Sequence, residues 1–378
     1  MNKIKILQVV NSLCVGGIEQ TVVNLCNNLD KNKYEVTLWV LTETHQDLLS
    51  RLNKEVNVYI QPLQQHHNVI IDIMCLFFSL SKLRKQLIDL SPDIIHTHIY
   101  QYNIFPFLVA MATSHLKFQH FHTIHTIGLH YVGGSVKYRI KLWVEKMCYR
   151  FLSTRLICVS KEVRRIVLNS WGNSCGEIQV VENGVNLSLF DRSQYPHNTE
   201  DMFIVSYVAR LVEGKNHITL LRAFSLLLKK YPNMYLWLIG DGNLRKELQN
   251  YASEKNIIHH IRFYGNVENV PYLLAQSSIA AFPSEYEGFS VSMIEMMAMG
   301  LPVVCSDIQS FIDVLGSDGA LFFSVYDSEE LAKQIEKLYL NKELLKYYAQ
   351  RSLKLSVEYS VENMALKYDK NYTIAIKQ

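Results

Sequence analysis

Short apolar runs alternate with amphipathic helical runs over almost the whole chain, and this alternation limits the fold more than any other feature. Strands separated by helices predict a parallel sheet with helices on both faces, which is an α/β fold. Amphipathic stretches such as Glu19–Leu29 and Leu80–Leu90 lie between the strands. The strands predicted in the first half are Ile4–Val10, Glu35–Leu41, Val56–Ile60, Ile94–Thr97, Phe118–Ile124, Leu156–Val159 and Ile178–Val181.

A polar stretch over Leu187–Met202 interrupts this alternation and is the best candidate for a linker. The alternation then restarts, and consecutive helices are predicted beyond about Ser328. We therefore expect two Rossmann-like doubly wound domains facing each other across a cleft, over residues 1–186 and 187–359, with a helix over about 360–378 that can pack back on the first domain. The strands predicted in the second domain are Phe203–Val208, Tyr235–Ile239, Ile261–Tyr264, Ile279–Phe282, Pro302–Cys305 and Leu321–Phe323.

Length and composition exclude several classes of protein. With 378 residues, 49% of them hydrophobic and 19% charged, the chain can bury large cores and is not a disordered tail protein. A net charge of +3 is too small to indicate a nucleic-acid-binding protein. The seven cysteines are scattered, with no Cys-x-x-Cys spacing, so free thiols in a reducing compartment fit best.

The sequence indicates neither a signal peptide nor a membrane-spanning helix. Met1–Val10 enters an alternating strand pattern directly. The most apolar helical candidate, Val69–Leu80, has 12 residues and is interrupted by Asp72, whereas a bilayer span needs about 20. We therefore expect a cytoplasmic protein.

The segment Pro283–Ser290 carries the most informative motif. A strand is predicted to end at Phe282 and a helix to begin near Phe289, with Glu287 and Gly288 in the loop between them. Backbone N–H groups at a helix start are unpaired and carry partial positive charge, so they can bind phosphate oxygens. Gly288 has no side chain and lets a ligand approach the backbone closely.

Two carboxylates flank this predicted phosphate site. Glu287 precedes the helix and Glu295 lies two turns into it, so the helical rise places them about 12 Å apart along the axis. That span suits a nucleotide sugar, with one carboxylate for ribose hydroxyls and the other for hexose hydroxyls. The alternative is that Glu287 is an ordinary first-turn acid and Glu295 a solvated helix residue, although the apolar residues around Glu295 disfavour this for it.

Two cations, Arg210 and Lys215, follow the first strand of the second domain. The carboxyl end of a strand would direct them toward a bound diphosphate, where a guanidinium and an ammonium group neutralise the charge on a leaving group. The alternative is that both are solvated loop residues.

These motifs resemble, in order and spacing, the retaining glycosyltransferases of family 4, the glycosyl transferases group 1 with the GT-B fold. The second domain supplies Arg210 with Lys215, the turn Gly240–Gly242, and Glu287 with Glu295. The resemblance covers roughly residues 4–315. The matching segments of the first domain are Gly16–Glu19, Asp93–His98, the strand that ends in His125, Cys158–Ser160 and Asn183–Asn186.

The resemblance implies a role for each matching residue. Arg210 and Lys215 hold the donor diphosphate, and Glu295 holds the ribose. Glu287, with the backbone of residues 288–290, contacts the donor sugar. Gly17 lets its loop approach phosphate and acceptor, and His125 lines the reacting centre.

The implied residues form two overlapping sets. The catalytic residues implied are His125, Arg210, Lys215 and Glu287. The donor-binding residues implied are Gly17, Arg210, Lys215, Gly240, Gly288, Phe289, Ser290 and Glu295. The chain departs from the family pattern at Ala209, Asn186 and Asp313, where the family usually has Gly, Asp and Glu; we expect the first two to be tolerated and Asp313 to affect the choice of sugar.

The resemblance implies an activity. It is the transfer of a hexosyl or N-acetylhexosaminyl group from a nucleoside-diphosphate sugar to a glycan or lipid-linked acceptor, with retention of the anomeric configuration. The resemblance also implies a role in surface polysaccharide or glycoconjugate assembly. No metal or other cofactor is expected. The alternatives are a nucleotide-sugar epimerase or other GT-B-like enzyme without a glycan acceptor, a metal-dependent hydrolase, and a non-catalytic binding subunit. No side-chain nucleophile is apparent.

Six of the fourteen histidines fall within 35 residues, and they are His96, His98, His120, His122, His125 and His130. Alternate strand residues share a face, so the His96-Thr97-His98 segment would suit a metal site. No further carboxylate or lysine ligand can be chosen from the sequence, and the resemblance implies contacts to sugar and phosphate without metal. The Gly16-Gly17 loop lacks the Gly-x-Gly-x-x-Gly spacing of dinucleotide-binding enzymes, which makes a nicotinamide enzyme a weak competitor.

The segment over residues 131–155 combines six basic residues and five aromatic ones with a single acid. Its apolar residues at helical spacing are Ile140, Trp143, Val144, Met147 and Phe151. Two interpretations stay open. One is a domain helix with a solvated cationic face, and the other is peripheral contact with an anionic membrane, which lipid-linked acceptors would make useful.

Overall fold

A computed structural model describes residues 3–13, 16–42, 44, 46–60, 84–98, 117–125, 136–171, 178–196 and 202–378, without the side chains of residues 47, 137, 138 and 141. The chain divides into two compact units. One consists of Met1–Gly184 with Val361–Gln378, and the other consists of Val185–Ser360.

The first unit contains a seven-stranded parallel sheet in the order β3-β2-β1-β4-β5-β6-β7. The central strands are buried along most of their length, as expected for a parallel sheet covered on both faces, whereas β3 at the edge is exposed throughout. The strands are β1 (Ile4–Val10), β2 (Tyr34–Val40), β3 (Asn57–Ile60), β4 (Ile94–Thr97), β5 (Gln119–Ile124), β6 (Arg155–Cys158) and β7 (Ile178–Val180).

Within the described ranges, helices follow β1, β2, β5 and β6, in the crossover pattern that parallel neighbours require. Residues 84–90 are also helical. The first four helices with described bounds are α1 (Gly17–Asn28), α2 (Gln46–Ser50), α3 (Val136–Phe151) and α4 (Lys161–Trp171).

The second unit contains a six-stranded parallel sheet in the order β10-β9-β8-β11-β12-β13. Its strands are β8 (Phe203–Val208), β9 (Met234–Ile239), β10 (Ile261–Gly265), β11 (Ile279–Phe282), β12 (Val303–Ser306) and β13 (Leu321–Phe323). Its helices are α5 (His217–Leu228), α6 (Arg245–Glu254), α7 (Val270–Ala275), α8 (Val291–Ala298), α9 (Gln309–Leu315), α10 (Ser328–Leu340) and α11 (Lys342–Ser356).

The last helix, α12 (Val361–Lys377), belongs to the first unit. Its buried side chains Tyr368 and Tyr372 join the core cluster that α1, β1 and β2 form. Its Asp369 accepts hydrogen bonds from Lys33 at 2.6 Å and from the Tyr34 hydroxyl at 2.7 Å. The helix therefore completes a core whose other parts come from the beginning of the chain.

The α/β fold class predicted from the sequence is confirmed. Each of the thirteen predicted strands is present, with its ends within one residue of the predicted positions. The consecutive helices predicted beyond Ser328 are also present. The predicted Leu80–Leu90 helix lies partly outside the described residues, and its described part, 84–90, is helical.

In both sheets the strand order reverses next to the first strand of the unit, between β1 and β4 and between β8 and β11. Ligands of open α/β sheets bind outside the carboxyl ends of the strands at such a point. In the second unit, the loops that follow β8 and β11 contain residues 209–216 and 283–290, which carry most of the predicted site.

Candidate active site

The loops after β8 and β11 are joined by a backbone hydrogen bond, from Glu285 N–H to the Gly214 carbonyl at 2.9 Å. The Tyr286 ring lies over Gly214, so that a side chain on residue 214 would come within 2.7 Å of it. Gly214 also has φ +78°, a conformation that favours glycine. The two loops therefore meet at the point where the strand order reverses.

Lys215 and Glu287 form an ion pair at this meeting point. Glu287 is only 9% exposed, and its Oε1 also accepts a hydrogen bond from Ser284 Oγ at 3.0 Å. A buried carboxylate is stable only when it is paired and hydrogen-bonded, and Lys215 with Ser284 meets that requirement. Glu287 is thus not an ordinary acid of the first helical turn.

The buried Tyr207, on β8, forms hydrogen bonds next to this ion pair. Its hydroxyl donates to the backbone carbonyl of Lys215 at 3.1 Å and lies 2.9 Å from Ser284 Oγ. Burial, with the nearby Glu287 charge, raises the pKa of Tyr207 well above its usual value, so the hydroxyl remains protonated. Sequence reasoning missed Tyr207 and Ser284. The local signal for them is weak: each carries a hydroxyl near the end of β8 or β11, the two strands between which the strand order reverses.

Arg210 lies in the same loop as Lys215 but is exposed. Its backbone carbonyl accepts from Val212 N–H at 2.9 Å, which tightens the turn that carries it. The structure therefore brings Lys215 and Glu287 into contact and places Arg210 at the surface of the loop.

The helix after this loop begins at Val291, two residues beyond the predicted start near Phe289. Phe289 packs against Tyr359, with ring centroids 5.7 Å apart, and leaves its backbone outside the helix. Ser290 is the N-cap residue, and its side chain makes no capping hydrogen bond to the first N–H groups of α8. Glu287 and Gly288 lie in the extended loop before it.

Glu295 is the fifth residue of α8 and is only 7% exposed. It is therefore not a solvated helix residue. The separation of about 12 Å derived from helical rise does not apply, because only residues 291–295 follow the helix, over about 6 Å of its axis.

Gly240, in the turn after β9, has a structural reason to be glycine. Its φ is +129°, and a β-carbon there would lie 2.2 Å from the Ala209 carbonyl oxygen. The glycine lets the turn after β9 pack closely against the loop that carries Arg210. Gly240 N–H donates to the Gly265 carbonyl at 2.9 Å, which fixes the turn from the other side.

Two of the residues that depart from the family pattern, Asn186 and Asp313, accept different hydrogen bonds. Asn186 Oδ1 accepts from the backbone N–H of Ser188 at 3.1 Å, a contact that an aspartate oxygen would also make. Asp313, on α9, accepts from the Gln309 side chain at 2.8 Å.

In the first unit, Gly17 is the first residue of α1, which follows β1. His125 directly follows β5 and is half-buried. His125 Nε2 lies 2.9 Å from His98 Nδ1, and burial lowers the pKa of His125 to about 3, so the ring is neutral at physiological pH.

The remaining histidines of the cluster are held by hydroxyl and amide groups of the protein. His96 contacts Tyr372 and Thr123 at 2.6 and 2.7 Å, and His120 contacts Thr154 at 2.7 Å. His122 stacks on Tyr149. Within the described ranges no three His, Cys, Asp or Glu side chains are grouped as metal ligands would be, and His130 lies outside those ranges.

Helix α3 exposes a row of apolar side chains, here called the apolar stripe. Trp143 is 62% exposed and Phe151 66%, while Glu145 and Tyr149 on the opposite face are buried. The exposed Arg139 and Arg150 flank the stripe, and Lys146 donates to the Ser170 carbonyl at 2.9 Å. The apolar stripe consists of Val136, Ile140, Trp143, Met147 and Phe151.

Among the described helices, none has the length and apolar character that crossing a bilayer requires.

Two consecutive family models match the chain. Residues 15–189 match Glycosyltransferase Family 4, and residues 190–354 match Glycosyl transferases group 1. An Escherichia coli protein, UDP-Gal:alpha-D-GlcNAc-diphosphoundecaprenol alpha-1,3-galactosyltransferase, is 24% identical over 318 residues, which make up 81% of this chain and 80% of that protein.

Solved structures with the same fold include a glycosyltransferase from Rickettsia africae ESF-5, which covers 100% of both chains with a TM-score of 0.81 and 19% identity. HepE of Anabaena, in complex with UDP and glucose, covers 98% of this chain and 99% of its own, with a TM-score of 0.79 and 15% identity. The family resemblance and the enzyme class predicted from the sequence are confirmed. The chain is a glycosyltransferase with the GT-B fold, and it belongs to the family 4, group 1 glycosyltransferases.

Proposed function

We propose that this enzyme transfers a hexosyl or N-acetylhexosaminyl group from a nucleoside-diphosphate sugar to a glycan or lipid-linked acceptor, with retention of the anomeric configuration. The observation that carries the proposal is the ion pair between the half-buried Lys215 and the buried Glu287, held where the strand order of the second sheet reverses. A cation and a hydrogen-bond acceptor at such a point suit a diphosphate next to sugar hydroxyls.

In the proposed site, Arg210 and Lys215 bind the diphosphate together with the first N–H groups of α8. Glu287, with the backbone of residues 288–290, contacts the donor sugar, and Glu295 contacts the ribose. Gly240 shapes the loop that carries Arg210. In the first unit, Gly17 approaches phosphate and acceptor, and His125 lines the reacting centre.

Catalysis in this proposal comes from positioning and charge stabilisation. The cations stabilise the departing diphosphate, one of whose oxygens takes the proton of the acceptor hydroxyl. This front-face route needs no side-chain nucleophile and no metal, so we expect turnover to continue in excess EDTA. Loss of activity on chelation, restored by a divalent metal, would contradict this.

The relatives support the choice of substrate classes. The Escherichia coli relative is named for a UDP-sugar donor and a diphosphoundecaprenol-linked acceptor, and HepE was solved with UDP and glucose. We therefore propose a role in surface polysaccharide or glycoconjugate assembly.

The direct test is a thermal-shift screen with UDP, GDP and ADP, followed by transfer assays with the sugars of the nucleotide that binds. A ligand at 100 times its dissociation constant stabilises the native state by about 2.7 kcal/mol, which is easily measured. The Glu295→Gln variant should lose most of the shift, whereas Lys246→Met, at an exposed lysine of the same unit, should keep it. Donor turnover without any glycan or lipid-linked acceptor would instead favour an epimerase.

We further propose that the apolar stripe of α3 contacts an anionic lipid bilayer, at the inner face of the cell membrane. The stripe offers exposed aromatic and aliphatic side chains between two exposed arginines, the composition of a helix that lies in the lipid interface. A membrane surface is also where a lipid-linked acceptor would be found. The side chains of Lys137 and Lys141, which also belong to this segment, lie outside the described residues.

A further inference from the structure

A continuous chain of hydrogen bonds runs through the first unit from His125 to α12. His125 Nε2 lies 2.9 Å from His98 Nδ1, and His98 Nε2 lies 2.8 Å from Gln8 Oε1. Gln8 Nε2 donates to the Tyr372 hydroxyl at 3.1 Å, and that hydroxyl lies 2.6 Å from His96 Nδ1. Every member except His125 is buried.

The direction of this chain is set by Gln8, because an amide carries its donor and its acceptor on different atoms. Imidazoles and hydroxyls can exchange these roles. The Gln8 oxygen faces His98 and can only accept, so His98 Nε2 must carry a proton. On the other side, the Gln8 NH2 group donates to Tyr372, whose hydroxyl then donates to His96.

The same logic fixes the tautomer of His125. A neutral imidazole has one N–H, so His98, protonated at Nε2, accepts at Nδ1. The donor to that atom is His125 Nε2–H. His125 Nδ1 is then left as a bare acceptor, and this atom, which is itself buried, has no hydrogen-bond partner among the described residues.

We propose that His125 presents an unprotonated Nδ1 as acceptor for a sugar hydroxyl, and that Gln8 and Tyr372 are positioning residues that hold this tautomer. The hydroxyl contact rests on the proposed function; the tautomer does not. A neutral acceptor selects a hydroxyl hydrogen over a phosphate oxygen, so His125 binds the sugar and leaves the diphosphate to the cations.

The amide orientation depends on Tyr372, because its hydroxyl is the group that the Gln8 NH2 meets. In Tyr372→Phe the amide can turn over, which would reverse the chain and place the proton on His125 Nδ1. Tyr368→Phe is the matched control. Tyr368 lies one turn away on the same helix and is equally buried, and its ring also lies beside those of His96 and Tyr372. Its hydroxyl, however, bonds Thr123 at 3.1 Å and not Gln8.

The experiment is long-range ¹H–¹⁵N correlation spectroscopy on histidine-labelled full-length protein, with the His125 signals identified by their loss in His125→Asn. In the wild type we expect a protonated Nε2 and an unprotonated Nδ1. Tyr372→Phe should shift the population toward the Nδ1–H form, whereas Tyr368→Phe should leave it unchanged.

Kinetics provide the second measurement. Tyr372→Phe should lower kcat/KM by about two- to tenfold, according to how far the competent tautomer is depopulated, while the thermal shift with nucleotide alone stays the same. A wild-type His125 protonated at Nδ1, or identical spectra in the two tyrosine variants, would overturn the assignment. Failure of the wild type to transfer any sugar would overturn the proposed function and the hydroxyl contact, but not a tautomer seen in the spectrum.

Discussion

Lys215 and Glu287 are joined in an ion pair although they lie 72 positions apart in the chain. Each follows one of the two strands between which the sheet order reverses, so the fold itself brings them together. Ser284 and Tyr207 surround the contact and hold the Lys215 backbone and the Glu287 carboxylate in place. The same contact therefore stabilises the fold and forms part of the proposed donor site.

Lys215→Met should lower kcat by about 100-fold or more, since it removes charge stabilisation of the leaving diphosphate. It should also cost about 1–3 kcal/mol in the free energy of unfolding, because it leaves the Glu287 carboxylate buried with less compensation. The double variant Lys215→Met/Glu287→Gln should recover part of that stability but none of the activity. Denaturant titration and a sugar-transfer assay measure both effects; a kcat near the wild-type value in Lys215→Met would remove the donor-site assignment.

Gly240→Ala should destabilise the second unit by more than about 2 kcal/mol. A β-carbon there would meet the Ala209 carbonyl at 2.2 Å, and the residue would also be strained at φ +129°. Gly316→Ala is the comparison, because φ +69° imposes strain while the nearest atom would be 3.6 Å away. We expect that variant to lose only about 1 kcal/mol. Equal losses in thermal or urea unfolding would show that the contact with Ala209 is not what requires glycine.

Stability should fall steeply as the pH drops below about 6.5. Burial lowers the pKa of His120, His122, His125 and His217 to about 3, and it lowers the pKa values of His96 and His98 well below the usual range. Between about pH 6.5 and 3 the unfolded chain binds protons that the folded chain does not, so stability is complete above that window and is lost within it.

The slope of the free energy of unfolding against pH measures how many protons the chain takes up when it unfolds, and therefore how many buried, neutral histidines it has. His122→Asn should bind about one proton less on unfolding near pH 5. An unchanged slope in His122→Asn would mean that this ring is protonated in the native state.

Binding to vesicles should depend on both parts of the α3 surface. Replacement of Ile140, Trp143 and Met147 by Ser should abolish flotation with anionic vesicles, and Arg139→Gln with Arg150→Gln should weaken it by about fivefold for each charge, mostly at low salt. Leu340→Ser, at an exposed leucine of the second unit, is the control. Flotation that none of these changes affects would rule out this helix as the contact.

Much of the fold was predictable because buried parallel strands are mostly apolar runs that alternate with amphipathic helical runs. The strands Ile279–Phe282 and Phe203–Val208 are examples, and their ends located the loops of the site. The start of α8 was not predictable from the sequence alone. Phe289 continues the helical pattern in the sequence, but its ring packs against Tyr359, which lies 70 positions later, and the helix begins after it.

Side-chain pairing was less predictable than strand position. The Lys215–Glu287 contact depends on which strands become neighbours, and neither local pattern contains that information. The partners of the histidines are even more distant, since His96 meets Tyr372 across 276 positions. A histidine cluster that suggested metal binding in the sequence is therefore satisfied by hydroxyl and amide groups that only the fold brings to it.

Because Val361–Gln378 belongs to the first unit, the second unit is inserted within the first one in sequence. The core around Tyr368 and Tyr372 is incomplete until residues 361–378 have been made. During synthesis on the ribosome, part of the apolar surface of the amino-terminal sheet stays uncovered while about 200 further residues are made. The inserted unit, in contrast, has all its segments available before α12 is made. Chaperones would therefore meet the amino-terminal half during synthesis.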